Sequence, residues 1–437
     1  MKFYFIMNFK LSAFLFFISF TALAQGGANS IYSQYGLGLS YPHQFSRSFG
    51  MANTGIALSD PLTLNLYNPA SISDIKYTTF DINGTLNAFI SKDGVNTPAS
   101  ALDGSLGTIG LGTPLLKNWG AMVGLTPYSS MGYSVDSKGT DVNAGTYTDH
   151  YKGYGGINQI FFATAYRYKN FAVGAKANYL FGTINQQKLR VIDALGYFNA
   201  YENQEYKLFD FTFDFGAQYH YKANDNLNFT LGAVYGLQQD LSAKYSLLSF
   251  LTTQTYISDP MSSGSIQAGT QNTTTSPTTI TLSIPSYYGG GLAMKYKEKL
   301  TVTIDYKQQD WRLFQLNAGS YTVGKNYNIG AEYIPNKNSV GSENYHKRIA
   351  YRFGISYQNT PLMINGVNIT DYSASLGFSF PLRKFKYERE LFGSTLNLAL
   401  QVGRRGSLSN NLVQDDYIKV NFGFTLNDKW YIKRKFD

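Results

Sequence analysis

In residues 211–221, "FTFDFGAQYHY", one set of alternate positions holds Phe211, Phe213, Phe215, Ala217, Tyr219 and Tyr221. The other set holds Thr212, Asp214, Gly216, Gln218 and His220. Successive side chains of a β-strand point to opposite faces, so the stretch predicts a strand with one aromatic face and one face bearing an acid, an amide and an imidazole. The same period of two recurs in 299–307, where Leu300, Val302, Ile304 and Tyr306 alternate with Thr301, Thr303, Asp305 and Lys307. It recurs in 348–358, with Ile349, Tyr351, Phe353, Ile355 and Tyr357 opposite Ala350, Arg352, Gly354, Ser356 and Gln358. In 416–426 it sets Ile418, Val420, Phe422, Phe424 and Leu426 against Lys419, Asn421, Gly423 and Thr425. The chain therefore reads as half-apolar strands, one after another.

Such strands suit either a soluble sandwich or propeller with apolar faces inward, or a membrane barrel with apolar faces toward lipid. Three features separate them. The pattern in 169–190 stays extended well past the 5 or 6 residues usual in soluble sheets, whereas a membrane strand needs about 9 to 11. Tight polar turns at 168–170, 222–226 and 297–299 alternate with long connections at 137–155, 192–206 and 248–284, as at the periplasmic and external ends of an outer-membrane barrel. Tyr and Phe crowd the strand ends, where interfacial girdles lie.

Candidate strands fall at 77–91, 104–113, 119–135, 156–168, 170–191, 207–222, 226–247, 285–297, 299–313, 324–334, 348–358, 370–380, 394–404 and 415–427, fourteen in all. An even number places both ends of a single-chain barrel on the periplasmic side. The fold class expected is thus an all-β, 14-stranded antiparallel transmembrane barrel, with Asp214 and His220 looking into the lumen. Eight strands leave room only for side chains and 16 to 18 leave a water-filled pore, so a ring of this size needs a stopper. Residues 25–76 lack strand alternation, and Gly50, Gly55, Pro61 and Pro69 break them into short apolar pieces, which predicts a plug of short helices and turns ahead of a barrel at 77–437.

Composition agrees with strands. The 437 residues include 36 Tyr, 31 Phe and 42 Gly, with only 15% charged. A mean hydropathy of −0.22 excludes a helical membrane protein. The absence of cysteine excludes disulfides, thiol nucleophiles and thiolate metal sites. Lys2 and Lys10 precede an uncharged apolar run at 11–24 that ends in Ala22, Leu23 and Ala24, which predicts a signal peptide at 1–24. The run is too short for a transmembrane helix, which needs roughly 20 apolar residues. Removing this leader lowers the formal charge from +9 by its two lysines.

The segment 47–73, "RSFGMANTGIALSDPLTLNLYNPASIS", resembles the N-terminal hatch of the FadL-like family of long-chain fatty-acid transporters, whose Asn-Pro-Ala motif is matched by Asn68, Pro69 and Ala70. The family commonly follows that motif with Gly, where this chain has Ser71. Residues 119–133 are similar to its third strand, and 284–311 to its recurring pattern of Pro, glycine-rich strand, short turn, Asp-Tyr and Trp. The resemblance covers the chain beyond the leader in outline and is specific in these three blocks. It implies a hatch that closes the periplasmic side and binds or gates a hydrophobic molecule, and a kinked third strand that opens the wall near Pro127 and Tyr128. Proline cannot donate to a β-ladder, so Pro127 independently marks a bulge or break.

Other chemistry is sparse. His43, His150, His220 and His346 lack the spacing of a metal site. No Gly-x-Ser-x-Gly elbow surrounds a serine, and no dinucleotide or phosphate loop is present, so neither an enzyme nor a cofactor is expected. Among lumen charges Asp305, Arg352 and Lys419, the two cations are candidates to meet a carboxylate head group, Arg352 through its planar fork. The basic segments 381–390 and 429–435 read as periplasmic ends, since no stacking platform or basic groove for nucleic acid is recognisable. The expectation is an exported, monomeric outer-membrane barrel of a Gram-negative-type bacterium, surrounded by lipid, that takes up fatty-acid-like hydrophobic compounds. The alternative is a barrel of the same fold that serves as a docking or shuttle component of a type IX-like secretion system.

Overall fold

The computed structural model describes residues 30–430 apart from 42–44, 257–271, 276, 315, 317–318, 340 and 388–389. The leader at 1–24, His43 and the basic tail from 431 onward lie outside the described residues. Fourteen antiparallel strands form a closed barrel. They are β1 (Thr78–Lys92), β2 (Ala99–Leu116), β3 (Trp119–Asp141), β4 (Gly145–Tyr168), β5 (Phe171–Ile192) and β6 (Asn199–Asn224). Next come β7, in two pieces (Leu227–Gly236 and Gln239–Thr252), and β8, likewise in two (Thr278–Ile284 and Tyr287–Tyr296). The ring is completed by β9 (Leu300–Asp310), β10 (Val323–Tyr333), β11 (Ala350–Ile364), β12 (Val367–Tyr387), β13 (Glu390–Gly406) and β14 (Gln414–Asp428). It closes where β14 pairs with β1 along its full length, from Gln414 opposite Lys92 to Asp428 opposite Thr78.

The face question raised by 211–221 is answered by exposure. Phe211 and Tyr221 are 53% and 54% exposed, whereas Gln218 is 1% exposed and Asp214 8%. Ile304 of β9, Ile329 of β10, Ile355 of β11 and Ile418 of β14 face outward in the same way. Aromatic pairs such as Tyr179 with Phe211 and Tyr306 with Tyr327, at 5.0 and 5.1 Å between centroids, knit neighbouring strands on this outer surface. An apolar exterior around a sheet without edges is what lipid demands, because unpaired backbone groups there are costly.

Both ends of the barrel chain lie at one mouth, the near end, where among the described residues four connections are tight and a further one, 334–349, is long. At the opposite, far end the strands run beyond the expected bounds. The connections anticipated at 137–155 and 192–206 shrink to 142–144 and 193–198, since β3 pairs with β4 down to Asp141 opposite Gly145, and β5 with β6 to Arg190 opposite Ala200. Beyond the lipid the outer face no longer has to be apolar, so alternation fades while the backbone ladder continues, and inward residues such as Leu189 and Tyr201 still cluster. β7 and β8 are interrupted side by side, at 237–238 and at Pro285 with Ser286, a break that alternation does not reveal and that proline's missing donor explains.

Inside the ring, residues 30–41 descend from the far mouth. Ser30 donates to Asp415 at the far end of β14, and the Tyr32 hydroxyl donates to the Val413 carbonyl. Residues 45–77 then fill the near half as short turns, with Met51, Ala52, Thr54, Asn68 and Ala70 fully buried, before the chain enters β1.

Candidate functional site

The near half of the lumen holds a polar seam between this internal segment and the wall, beside an apolar cluster in which Phe45, Leu64 and Ile72 pack on Met122 and Phe161. Asn68 caps a short 3-10 helix, Pro69–Asp74: its side-chain oxygen accepts from the Ala70 N–H at 3.0 Å, and Pro69 at the first position has no N–H to leave unpaired. Its amide donates to the Ile56 carbonyl at 2.8 Å and to the Ala217 carbonyl of β6 at 3.1 Å, so one side chain ties cap, hatch and wall together. The Ser71 hydroxyl, where Gly is commoner, donates to the Asn68 carbonyl at 2.7 Å. Gln218 of β6 donates to the carbonyls of Ile56 and Leu58 at 3.0 and 3.2 Å. Asp305 of β9 accepts from the N–H groups of Gly55 and Ile56 at 2.6 and 2.9 Å.

Charge reinforces the seam. Glu332 of β10 is shared by Arg47 of the hatch, at 2.7 Å, and Arg352 of β11, also at 2.7 Å. Arg47 also reaches Thr63 and Asp60, and Arg352 donates to Ser379 of β12 at 2.6 Å. Arg167 of β4 pairs with Asp74 at 2.5 Å. The wall is cut away to receive the hatch backbone. A Cβ added at Gly174 would come within 2.5 Å of the Pro69 carbonyl carbon, one at Gly330 within 2.6 Å of the Thr54 hydroxyl, and one at Gly216 would overlap the Asn68 carboxamide.

The far half adds a larger apolar cluster beside polar groups such as Asp214, Lys307 and Arg405. Met131, Ile157, Leu180, Leu208, Leu241 and Ile284 converge from β3 to β8 on Leu37 of the descending segment and on Phe314 of the connection 311–322. Phe314 meets Trp311 and Tyr321 edge-on at 5.0 and 5.2 Å. A cavity of about 200 Å³ opens beside this cluster, lined among others by Tyr35, Leu39, Tyr128, Tyr287 and Lys307.

The wall is incomplete at this level. The β2–β3 ladder runs only from Leu116 opposite Trp119 to Ile109 opposite Leu125, and above it no backbone pair joins the two strands among the described residues. β3 bulges between Pro127 and Ser129 against β4, with Tyr128 as the extra residue. The freed edge of β3 is taken instead by the internal segment: Leu39–Ser40 pairs with Ser130 and Ser129, and the Tyr41 N–H donates to the Tyr128 carbonyl at 2.9 Å. Tyr41 spans the slot, its hydroxyl 2.5 Å from Ser105 Oγ on β2.

The residues singled out from the sequence therefore fall in three places. Asn68, Pro69 and Ala70 sit on the seam, and Pro127 and Tyr128 at the slot. Arg352 is committed to Glu332 and Ser379, while Lys419 on β14 lies at the lumen face with its amine 4.7 Å from the Tyr417 ring. Asp214 is paired with Lys176 at 2.9 Å and accepts from Tyr287 at 2.8 Å, and His220 contacts Arg167 and Thr230. Sequence reasoning passed over Glu332 and Tyr41, and gave Gln218 no role beyond its place on the polar face. Glu332 and Gln218 occupy inward positions of alternating strands, a signal that was present. Among the described residues no three His, Asp or Glu gather as a metal-ligand set.

Below the hatch the near mouth opens into a vestibule of about 620 Å³. It is bounded by hatch residues 60–63, the turn at 297–299, and Lys337 and Arg348 from the connection 334–349. Burial would raise the Glu298 carboxyl there, but hydrogen bonds from Lys295 and Lys337 outweigh it and hold the group down at about 2.

A closed ring of this strand number, stoppered by its own N-terminal segment, invites comparison with known proteins. The profile of the family described as BamG matches residues 6–437. The chain belongs to the BamG family. No curated protein matches it in sequence. Among solved structures this BamG-family barrel is similar to a Pseudomonas aeruginosa FadL homologue, at 14% identity and a TM-score of 0.58 over 90% of this chain and 99% of that one. It is similar to the Ralstonia pickettii toluene transporter TbuX, at 15% identity and a TM-score of 0.54 over 88% and 98%. It is similar also to the CymD monoaromatic hydrocarbon channel, at 16% identity and a TM-score of 0.53 over 91% and 100%. The BamG-family barrel thus has the FadL-like fold.

Proposed function

We propose that this BamG-family barrel resides in the outer membrane, its near end periplasmic, and takes up hydrophobic small molecules of fatty-acid-like chemistry as a monomeric carrier rather than an enzyme. A nonpolar solute gains nothing from an aqueous pore. It gains from exchanging one apolar contact for another, and the far half supplies such contacts from Phe314 down to Leu37. The tight seam around Asn68, Pro69 and Ala70 closes the straight path downward, so the exit runs sideways through the slot beside Pro127 and Tyr128 once residues 38–41 swing aside. Of the two cations expected to meet a head group, Lys419 is the better placed, because Arg352 is already held by Glu332 and Ser379.

The observation that carries this reading is the β2–β3 ladder stopping at Ile109 and Leu125, with Leu39–Ser40 as its shutter. The chain has no cysteine, so Ser40→Cys with Ser129→Cys, which replaces directly opposed residues, introduces the protein's sole thiols. In proteoliposomes carrying this variant, oxidation is expected to reduce uptake of a fluorescent long-chain fatty acid to the level of protein-free vesicles, and reduction to restore it. Equal uptake in both redox states would remove the lateral route. No uptake in either state, nor by the parent, would favour the docking component of a secretion system.

A further inference from the structure

The vestibule at the near mouth is unlike the far cavity in its chemistry. Eight basic and four acidic side chains line it. Each acid is already committed: Asp60 to Arg47 at 3.3 Å, Asp74 to Arg167 at 2.5 Å, Glu298 to Lys295 and Lys337 at 2.9 Å each, and Glu332 to Arg47 and Arg352. The surplus is positive and faces the near mouth. Among the described residues no acid lies within ion-pair reach of Lys299, which is exposed, or of Arg348. Arg348 stacks its guanidinium 5.0 Å from the Tyr345 ring, and its buried Nε has no hydrogen-bond partner. A donor fixed in place by an aromatic ring and left unpaired is prepared for an acceptor that arrives from outside.

We propose that this vestibule is a docking site for an acidic peptide segment of a periplasmic partner protein, with Lys299 and Arg348 as its principal anchors. A peptide fits better than a compact anion for two reasons. The surplus cations come from separate elements around a cleft of about 620 Å³ rather than converging on one point. The same lining carries the amide and hydroxyl groups of Asn338, Ser394 and Thr395, suited to pairing with an extended backbone. Occupancy would also touch the stopper, since Arg47 and residues 60–63 form part of the same wall. The site is independent of whether the lumen carries hydrophobic compounds.

The test uses the full-length barrel purified in detergent, titrated with a fluorescent hexaglutamate peptide and followed by anisotropy. Saturable binding that weakens as salt is raised is expected, and hexalysine should not compete. Lys299→Glu with Arg348→Glu should weaken hexaglutamate binding about ten-fold or more. Heat-modifiable migration on gels checks that the variant barrel is folded. Lys299→Arg, which keeps the charge, should bind like the parent. Three results would overturn the proposal: no saturable binding by the parent, equal binding by the folded charge-reversed barrel, or displacement by inorganic phosphate as readily as by unlabelled hexaglutamate, which would leave a general anion site.

Discussion

The two halves of the lumen meet the N-terminal segment with different balances of directed bonds and apolar packing. In the near half, backbone meets backbone across wall glycines, and the apolar packing of Leu64, Ile72 and Phe45 on Met122 and Phe161 is locked by directed bonds: Asp305 to Gly55 and Ile56, Gln218 to Ile56 and Leu58, Glu332 to Arg47 and Arg352. In the far half, methyl groups and rings converge from six strands, with directed contacts beside them such as Ser30 to Asp415 and Lys176 to Asp214, and the wall itself gives way between β2 and β3. Directed bonds are lost together when geometry shifts, because each leaves a buried group unpaired. Apolar contacts can be traded one at a time. On the proposed uptake, the near half is the fixed part of the molecule and the far half the part that exchanges occupants.

This contrast can be broken from the near side. Gly216→Val would drive a side chain into the Asn68 carboxamide and the Pro69 ring, with a cost at or above the upper end of the about 1–3 kcal/mol usual for overpacking. The hatch should leave its seat while the ring stays closed, so single-channel conductance in planar bilayers should appear where the parent shows none. Glu332→Ala would leave the buried Arg352 guanidinium without a carboxylate and Arg47 with Asp60 alone, a loss of about 3–5 kcal/mol, read as a lower urea midpoint for the hatch. Parent-like midpoints would mean that the seam does not depend on charge.

The far side should respond more gently. Tyr41→Phe removes only the hydroxyl contact to Ser105 across the slot, worth about 0.5–1.5 kcal/mol. Amide exchange at Tyr41 should quicken by about ten-fold at most, with the exchange of Gly55 and Ile56 unchanged. Faster exchange at both places would show that the two halves move as one.

The fourteen strands could be read from the chain because lipid on one side and a polar interior on the other impose a period of two that survives in side-chain identity. Where one of those environments ends, as in 136–141 and 145–155, the pattern fades although the ladder does not, so the far hairpins were placed too low. Pro127 was legible because a missing N–H is a local property. The length of the slot was not, because the end of a ladder depends on where a partner strand diverges. Asp305 and Arg352 were recognised as inward charges, but the Gly55 and Ile56 amides that Asp305 meets lie far along the chain, and Glu332 faces Arg352 only once the register of β10 on β11 is known. Position along a strand tells which way a side chain points, and only the folded ring tells what it finds there.

The strand that follows the hatch without interruption is β1, and β1 is also one lip of the seam sealed by β14. The chain thus carries its stopper at the start and its final stave at the end. A ring that closed before the stopper was seated would have to draw residues 45–77 back through a finished mouth, past the ion pairs that later hold them. Biogenesis is simplest if the N-terminal part lies in the nascent trough while the staves are laid around it, with the joining of last to first as the closing event.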